Sequence, residues 1–508
     1  MTRTTRSRTI ISALFLMSIG IGSTTEIHGQ SLEPNPARAD SKITAAIQNQ
    51  FLRDATLSPL PVEISTHDGI ASLDGNVANL LEKRHAAEVA EAVRGVRAVV
   101  NRIEVTPSNR SSSEIVEAVD RELRSNPATD FYEISATADN DGHVTLSGSV
   151  DSWAERNLAE RVAMMARGVT GITNGILTDT RKAHRNEAEI RNDVEARLRW
   201  DTLVDDSLIS VLAAQGGRVT LSGTVGSAAE KRRAGADAWV AGVRSVDTDH
   251  LEVEPWANDG NLRLDEFSHK KDSEVRAAIM KTLAYDPRVL DEEIAVTVTE
   301  GGARLLGEVK NLQAKQAAEQ DARNTVGVVA VRNELDVVPG PINDTELEQL
   351  VSNALTGAGL LEDNSISVSV ENGVVSLEGE VSSTPDYWHA ERIAGNARGA
   401  VDVRNDLTVN GEARIRTAYA YGFYPNIHYG QPELADGPLP TDREIHANVE
   451  SELFWSPFVD EDAISISVDD GVVTLAGAVA SLREKEIARE NALEGGAIRV
   501  NNDLVVDN

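Results

Sequence analysis

The chain has no cysteine in its 508 residues. That rules out disulfides, thiolate nucleophiles, cysteine-ligated zinc and a lipid-modified cysteine anchor. Aromatic residues make up only 4% against 41% hydrophobic residues, so small aliphatic cores are expected rather than one large aromatic-rich core. Basic residues are scarce: 49 Lys and Arg face 81 Asp and Glu, a net charge of -32. A surface this acidic disfavours general nucleic-acid binding, which needs basic side chains to release counterions. It also repels anionic lipid unless a basic patch or a divalent cation intervenes. Beyond the N-terminus, no apolar run approaches the length of a membrane-spanning helix.

The N-terminal stretch is the exception. Arg3, Arg6 and Arg8 precede an apolar run from Ile10 to Ile21, which predicts an export signal over 1–30 with cleavage near Gly29. Ile27-His28-Gly29 fits the small-residue rule only in part, so an uncleaved anchoring tail stays open. An exported chain without disulfides must be held together by packing, which suits short, well-formed modules. Residues 31–38 read as a linker.

What the sequence has in abundance is one phrase. GHVTLSGSV at 142–150 recurs as GIASLDGNV at 69–77, GRVTLSGTV at 217–225, GGARLLGEV at 301–309, GVVSLEGEV at 373–381 and GVVTLAGAV at 471–479. Upstream of each copy runs a stripe spaced i, i+4, i+8: Ile43/Ile47/Phe51, Ile115/Val119/Leu123, Ile190/Val194/Leu198, Val275/Ile279/Leu283, Leu347/Val351/Leu355 and Ile445/Val449/Leu453. That spacing lines one side of a short helix. Next, Ile366, Val368 and Val370 alternate before Asn372-Gly373, and Val375 and Leu377 continue after it, as in a hairpin. A second helix follows, starting near Asn311 or Ser481. A short extended segment such as VRNELDV at 331–337 closes the unit.

The predicted fold class is therefore α+β: six tandem α-β-β-α-β modules, each a three-stranded sheet covered by two helices. They are expected at 39–107, 112–180, 186–254, 271–338, 343–410 and 441–508. A linker at 255–270 carries Trp256 and Phe267, which read as packing groups. An aromatic-rich insertion occupies 411–440. The irregular spacing of the copies argues against a regular solenoid.

The six phrases, the preceding stripe and a closing pattern seen in GVRAVVNRI at 95–103 and GVVAVRNEL at 327–335 together resemble the BON domain family over about four-fifths of the chain. Copy three departs with Asp249 where other copies have Asn. Copy four departs with Arg304 and Leu306, which suggest a degenerate copy or a partner-facing surface. The resemblance implies a protein that is exported, envelope-associated or linked to osmotic stress, with a periplasmic or envelope-associated location. Phospholipid binding is proposed for the family, which also has pore- and secretin-associated members.

The glycine phrase lacks the lysine and strand-to-helix glycine loop of a phosphate cradle. Gly69, Gly142, Gly217, Gly301, Gly373 and Gly471 are read as turn residues. Gly75, Gly148, Gly223, Gly307, Gly379 and Gly477 are read as bends or close approaches where the strand leaves the sheet. His143 occurs in one copy of six, and Ser147 and Ser222 lack a nucleophile elbow, so no catalytic residue and no cofactor is expected. Acidic turns at 291–293, 362–363 and 460–462 follow no complete calcium loop; a solvated turn is the simpler reading, with calcium-mediated adhesion left open. Tyr419, Tyr421, Phe423, Tyr424 and Tyr429 in the insertion form either a partner-binding edge or a clamp between modules five and six. The expected function is a non-enzymatic envelope-associated binding or stress-protection protein, with phospholipid or an envelope protein as partner. A protein scaffold using the aromatic insertion, or an enzyme assembled between repeats, remains the alternative.

Overall fold

A computed structural model describes residues 36–54, 57, 60–77, 79–106, 110–178, 185–258, 270–289, 293–338, 342–358, 365–382, 384–409, 412–413 and 440–507. Each module contributes two helices, numbered here in chain order. They are α1 (Pro36–Arg53) and α2 (Leu80–Glu91), α3 (Ser112–Ser125) and α4 (Trp153–Met164), and α5 (Glu187–Trp200) and α6 (Ala228–Asp237). Modules 4 to 6 contribute α7 (Asp272–Leu283) and α8 (Leu312–Arg323), α9 (Asp344–Gly357) and α10 (Thr384–Asn396), and α11 (Asp442–Trp455) and α12 (Leu482–Glu494). The six predicted stripes lie on the first helix of each pair, and every stripe residue is buried.

Between the two helices comes the hairpin. In module 5, Ser365–Glu371 pairs antiparallel with Val374–Val381, and the closing strand Asp402–Val409 joins the other edge in parallel. All six sheets repeat this mixed order with the second hairpin strand central. The hairpin turns at Asn372 and Gly373, with φ of 52° and 76°, the paired left-handed conformation that matches strand twist. Gly379 does not mark the strand leaving the sheet. It is paired on both sides, to Ile366 and Leu407, and the ladder runs on to Val381. Its role is close approach: at φ 127°, a Cβ there would clash with the Ser365 carbonyl oxygen.

Capping fixes where the helices begin. Asn311 Oδ1 accepts from the Ala314 N–H at 2.8 Å, and Ser481 Oγ accepts from the Glu484 N–H at 3.0 Å. The recurring asparagine of the closing segment ties strand to helix. Asn333 Nδ2 donates to the Lys315 carbonyl at 2.9 Å, while its Oδ1 accepts from the Leu335 N–H at 3.2 Å. Asn101, Asn174, Asn405 and Asn502 make the same pair of bonds. Asp249 has no amide to donate, and in its module the ladder slips between Thr220 and Ser222. Lys231 Nζ there takes the Leu251 carbonyl at 2.7 Å.

Each module has its own aliphatic core, and several cores accept a residue from another module. Leu80 of module 1 packs against the core of module 2, and Ala228 of module 3 enters that of module 1. Leu482 of module 6 packs against the core of module 4, and Leu312 of module 4 enters that of module 5. All four are the first residue of a module's second helix. In module 2 that residue is Trp153, which stacks on Trp239 of module 3. Modules 1, 2 and 3 thus hand on one contact in a closed ring, and modules 6, 4 and 5 repeat its order.

First helices join the two sets. Trp200 packs on the module 4 core while its carbonyl accepts from the Val326 N–H at 3.1 Å. Trp455 packs on the module 1 core while its carbonyl accepts from the Arg94 N–H at 2.8 Å. Module 2 meets module 5 where Glu122 faces Arg392 at 3.3 Å. These contacts follow the order of a threefold crossed by twofolds, built within one chain.

Candidate functional site

The twelve glycines named from sequence all have positive φ. In four of the six modules the turn is held by an aspartate near the start of the preceding helix. Asp344 accepts from the Asn372 and Gly373 N–H groups, both at 2.9 Å, and Asp40, Asp272 and Asp442 repeat the clasp. Two of these turns also gather acidic groups, Asp40/His67/Asp68 and Asp442/Asp469/Asp470, at metal-ligating separation. The oxygens of Asp40 and Asp442 already take the turn amides, so each cluster has a structural use.

The aromatic insertion residues Tyr419, Tyr421, Phe423, Tyr424 and Tyr429 lie outside the described residues, as do Phe267, the acidic positions 291–292 and 362–363, and the export-signal stretch. In the acidic turn at 460–462, Glu461 is bound to Arg94 of module 1 at 2.7 Å. Trp256 is 56% exposed, so the packing role expected for it is not met; Ala257 is the buried residue of that turn. Arg304 reaches Glu334 on the adjacent strand of its own sheet, Nε to Oε2, at 2.8 Å. His143 is exposed and its Nε2 sits 2.8 Å from Thr173 Oγ1.

The structure instead brings chemistry together where modules 2, 3 and 4 meet, around a cleft of about 540 Å³. One wall is the Trp153–Trp239 stack, with ring centroids 4.8 Å apart and planes 5° from parallel. The end of α5, the helix α6 and the segment after α7 bring in paired charges. Arg233 Nε donates to Asp201 Oδ2 at 2.6 Å, Arg197 Nη2 to Asp237 Oδ1 at 3.1 Å, and Arg288 Nε to both Asp286 oxygens at 3.0 Å. Arg288 also reaches Gln320 Oε1 at 3.3 Å from two nitrogens. The Arg197 guanidinium lies over the Tyr285 ring, 5.4 Å from its centroid.

Burial divides these carboxylates. Burial first, then the Asp201 charge, pushes Asp237 up to about 7. Burial and then Asp286 push Asp321 well above the usual carboxylate range. Asp286 is also buried, which opposes its charge, yet the adjoining Arg288 holds it below that range. Asp321 Oδ2 is buried and accepts no hydrogen bond. No histidine lines the cleft, and among the described residues its groups form no nucleophile–base pair. The arrangement can bind a polar guest on an aromatic wall.

Sequence reading missed this cleft, since each charged residue alone looks like a solvated helix face. A signal was present: Trp200, Tyr285 and Trp455 each stand two residues past a buried stripe, and each serves a contact between modules.

The chain is 25% identical over 201 residues to "Osmotically-inducible protein Y" of Escherichia coli (strain K12), covering 35% of this chain and 98% of that protein. Among solved structures, it matches CdsD, a structural protein of the Type III secretion system of Chlamydia trachomatis, at 18% identity and TM-score 0.12, over 41% of this chain and 88% of that one. A structure of the CdsD C-terminal domain matches at 16% identity and TM-score 0.12, over 42% and 96%. The BON domain pattern matches six times, at 39–107, 111–179, 186–255, 271–339, 343–411 and 441–508. With six matches over most of its length, the chain belongs to the BON domain family.

Proposed function

We propose that this chain is a non-enzymatic, exported protein of the cell envelope that acts in osmotic stress, and that its modules associate with phospholipid surfaces. The observation that carries the stress assignment is the similarity to osmotically-inducible protein Y, which is matched over 98% of its length. Module geometry supports a surface-binding role. Helices cover one face of each sheet, and the opposite face is open, carrying Ser135, Thr137, Thr145, Ser147 and Ser149 in module 2 and Ser365, Ser367, Ser369, Glu378 and Glu380 in module 5, with exposed Leu177 and Leu212 on the open faces of modules 2 and 3. Several similar faces on one body allow weak contacts to add as avidity. With a net charge of -32, zwitterionic headgroups suit these faces better than anionic ones, unless a divalent cation bridges.

Vesicle flotation tests the reading, using phosphatidylcholine alone and phosphatidylcholine with phosphatidylglycerol, each with and without calcium. Binding to zwitterionic vesicles, or to anionic vesicles only with calcium, is expected; no flotation in any condition removes the lipid role. Deleting 411–440 and comparing neighbours by proximity labelling tests the scaffold alternative. Loss of one discrete envelope protein would transfer the function to the aromatic insertion.

A further inference from the structure

We propose that the cleft between modules 2, 3 and 4 is a binding site for a neutral, hydroxyl-rich small molecule of the oligosaccharide class. This inference is independent of how the sheet faces meet a membrane. A volume of about 540 Å³ falls within the roughly 300–1,000 Å³ of small-molecule sites, which suits two or three sugar rings.

The chemistry of the lining selects the guest. Arg233, Arg197 and Arg288 each already hold a carboxylate, at 2.6, 3.1 and 3.0 Å respectively. An anion held by any of these three would have to take its guanidinium from an aspartate, and a cation held by their partners would have to take the aspartate. Either exchange leaves a buried charge without its partner, which is strongly unfavourable. A neutral hydroxyl asks for neither, since it donates to a carboxylate lone pair without displacing the arginine. Asp321 Oδ2 provides such a position, being buried with no hydrogen bond. Burial also favours its protonated form, which would let the same carboxyl donate.

The aromatic wall fits this class as well. Trp153 and Trp239 both line the cleft and stack within 5° of parallel, which leaves an outer indole face as an apolar surface for the C–H face of a sugar ring. The corresponding junction among modules 1, 3, 4 and 6 leaves only about 200 Å³. It is lined by Trp455, but no second tryptophan stacks beside it there.

The test is a titration of the full chain with neutral di- and trisaccharides of glucose and of N-acetylglucosamine, read by calorimetry. Sodium sulfate and choline chloride serve as charged comparators. At least one saccharide should bind saturably, and neither comparator should bind or displace it. Trp153→Ala and Asp321→Ala should each weaken binding at least tenfold, Trp153→Phe by less than threefold, and Trp455→Phe, at the other junction, not measurably. If Trp153→Ala does not fold, Asp321→Ala and the two phenylalanine variants decide the question. Absence of saccharide binding, binding unchanged in Asp321→Ala, or saturable binding of sulfate or choline at the cleft would each overturn the proposal. Loss of flotation with saccharide binding intact would remove only the lipid role.

Discussion

Arg94 of module 1 donates from Nη2 to Glu461 Oε2 of module 6 at 2.7 Å, joining residues 367 apart in sequence. The same nitrogen reaches the Ser456 and Val459 carbonyls, both at 3.1 Å. Charge-assisted bonds in a half-buried setting contribute about 1.5–3 kcal/mol each to stability. Arg94→Ala should therefore lower the urea midpoint and leave carbonyls without donors at the junction. A double-mutant cycle with Glu461→Gln should return a coupling of roughly 0.5–3 kcal/mol. Additive effects within about 0.5 kcal/mol would mean the pair is not formed in solution.

The asparagine clasp predicts a contrast between modules. Asn333→Ala removes the Nδ2 bond to the Lys315 carbonyl of the helix and the Oδ1 bond from the Leu335 N–H of its own strand, and should cost about 1–3 kcal/mol, measured by urea unfolding. Asp249→Asn should change stability by no more than about 0.5 kcal/mol. Its strand has slipped out of register, so the restored amide no longer faces the helix carbonyl. If Asp249→Asn stabilises as much as Asn333→Ala destabilises, the slip is a consequence of the missing amide.

The module was legible because its signals are local. A buried stripe such as Ile190/Val194/Leu198 has helical period, and Asn372-Gly373 between alternating valines specifies a hairpin. Asp344 was harder to read: at the start of a helix it looks like a favourable charge at the positive end of the dipole. Its bonds to Asn372 and Gly373 appear only once the hairpin folds back over it. The cleft was not legible because Trp153, Asp201 and Arg288 come from three modules. Their meeting depends on how modules dock, and docking is set by shape rather than by period.

Two glycines separate steric from conformational cost. Gly379 has φ 127°, and a Cβ would meet the Ser365 carbonyl oxygen. Gly379→Ala should cost about 2–5 kcal/mol, combining left-handed strain with overpacking. Gly216 has φ 84° and nothing within 4 Å, so Gly216→Ala should cost only about 1–2 kcal/mol. Equal unfolding midpoints for the two variants would show that the first strand yields to the added methyl group.

The cleft and the module 2–5 junction should give stability a maximum in mildly acidic solution. Asp237 is raised to about 7 by burial and then by Asp201, from an ordinary 3.8. Between those values the folded chain keeps a proton that the unfolded chain loses, so stability falls as pH rises from 4 to 7 and then levels. Glu122 behaves oppositely: burial resists its charge, yet Arg392 foremost, with His389, lowers it from 4.5 to about 2. Its contribution is present above pH 4.5 and is lost as pH falls towards 2. His389 is lowered from 6.5 by burial and then by Arg392, so its contribution is present above 6.5 and declines on acidification. Urea midpoints measured from pH 2 to 9 should show both limbs. Asp237→Asn should flatten the fall between pH 4 and 7 and raise stability above pH 7, leaving the acid limb in place. Glu122→Gln should flatten the acid limb alone. If Asp237→Asn shifts every pH equally, Asp237 is ionised throughout and its three neighbours, Arg197, Arg233 and Asp201, hold it in that state.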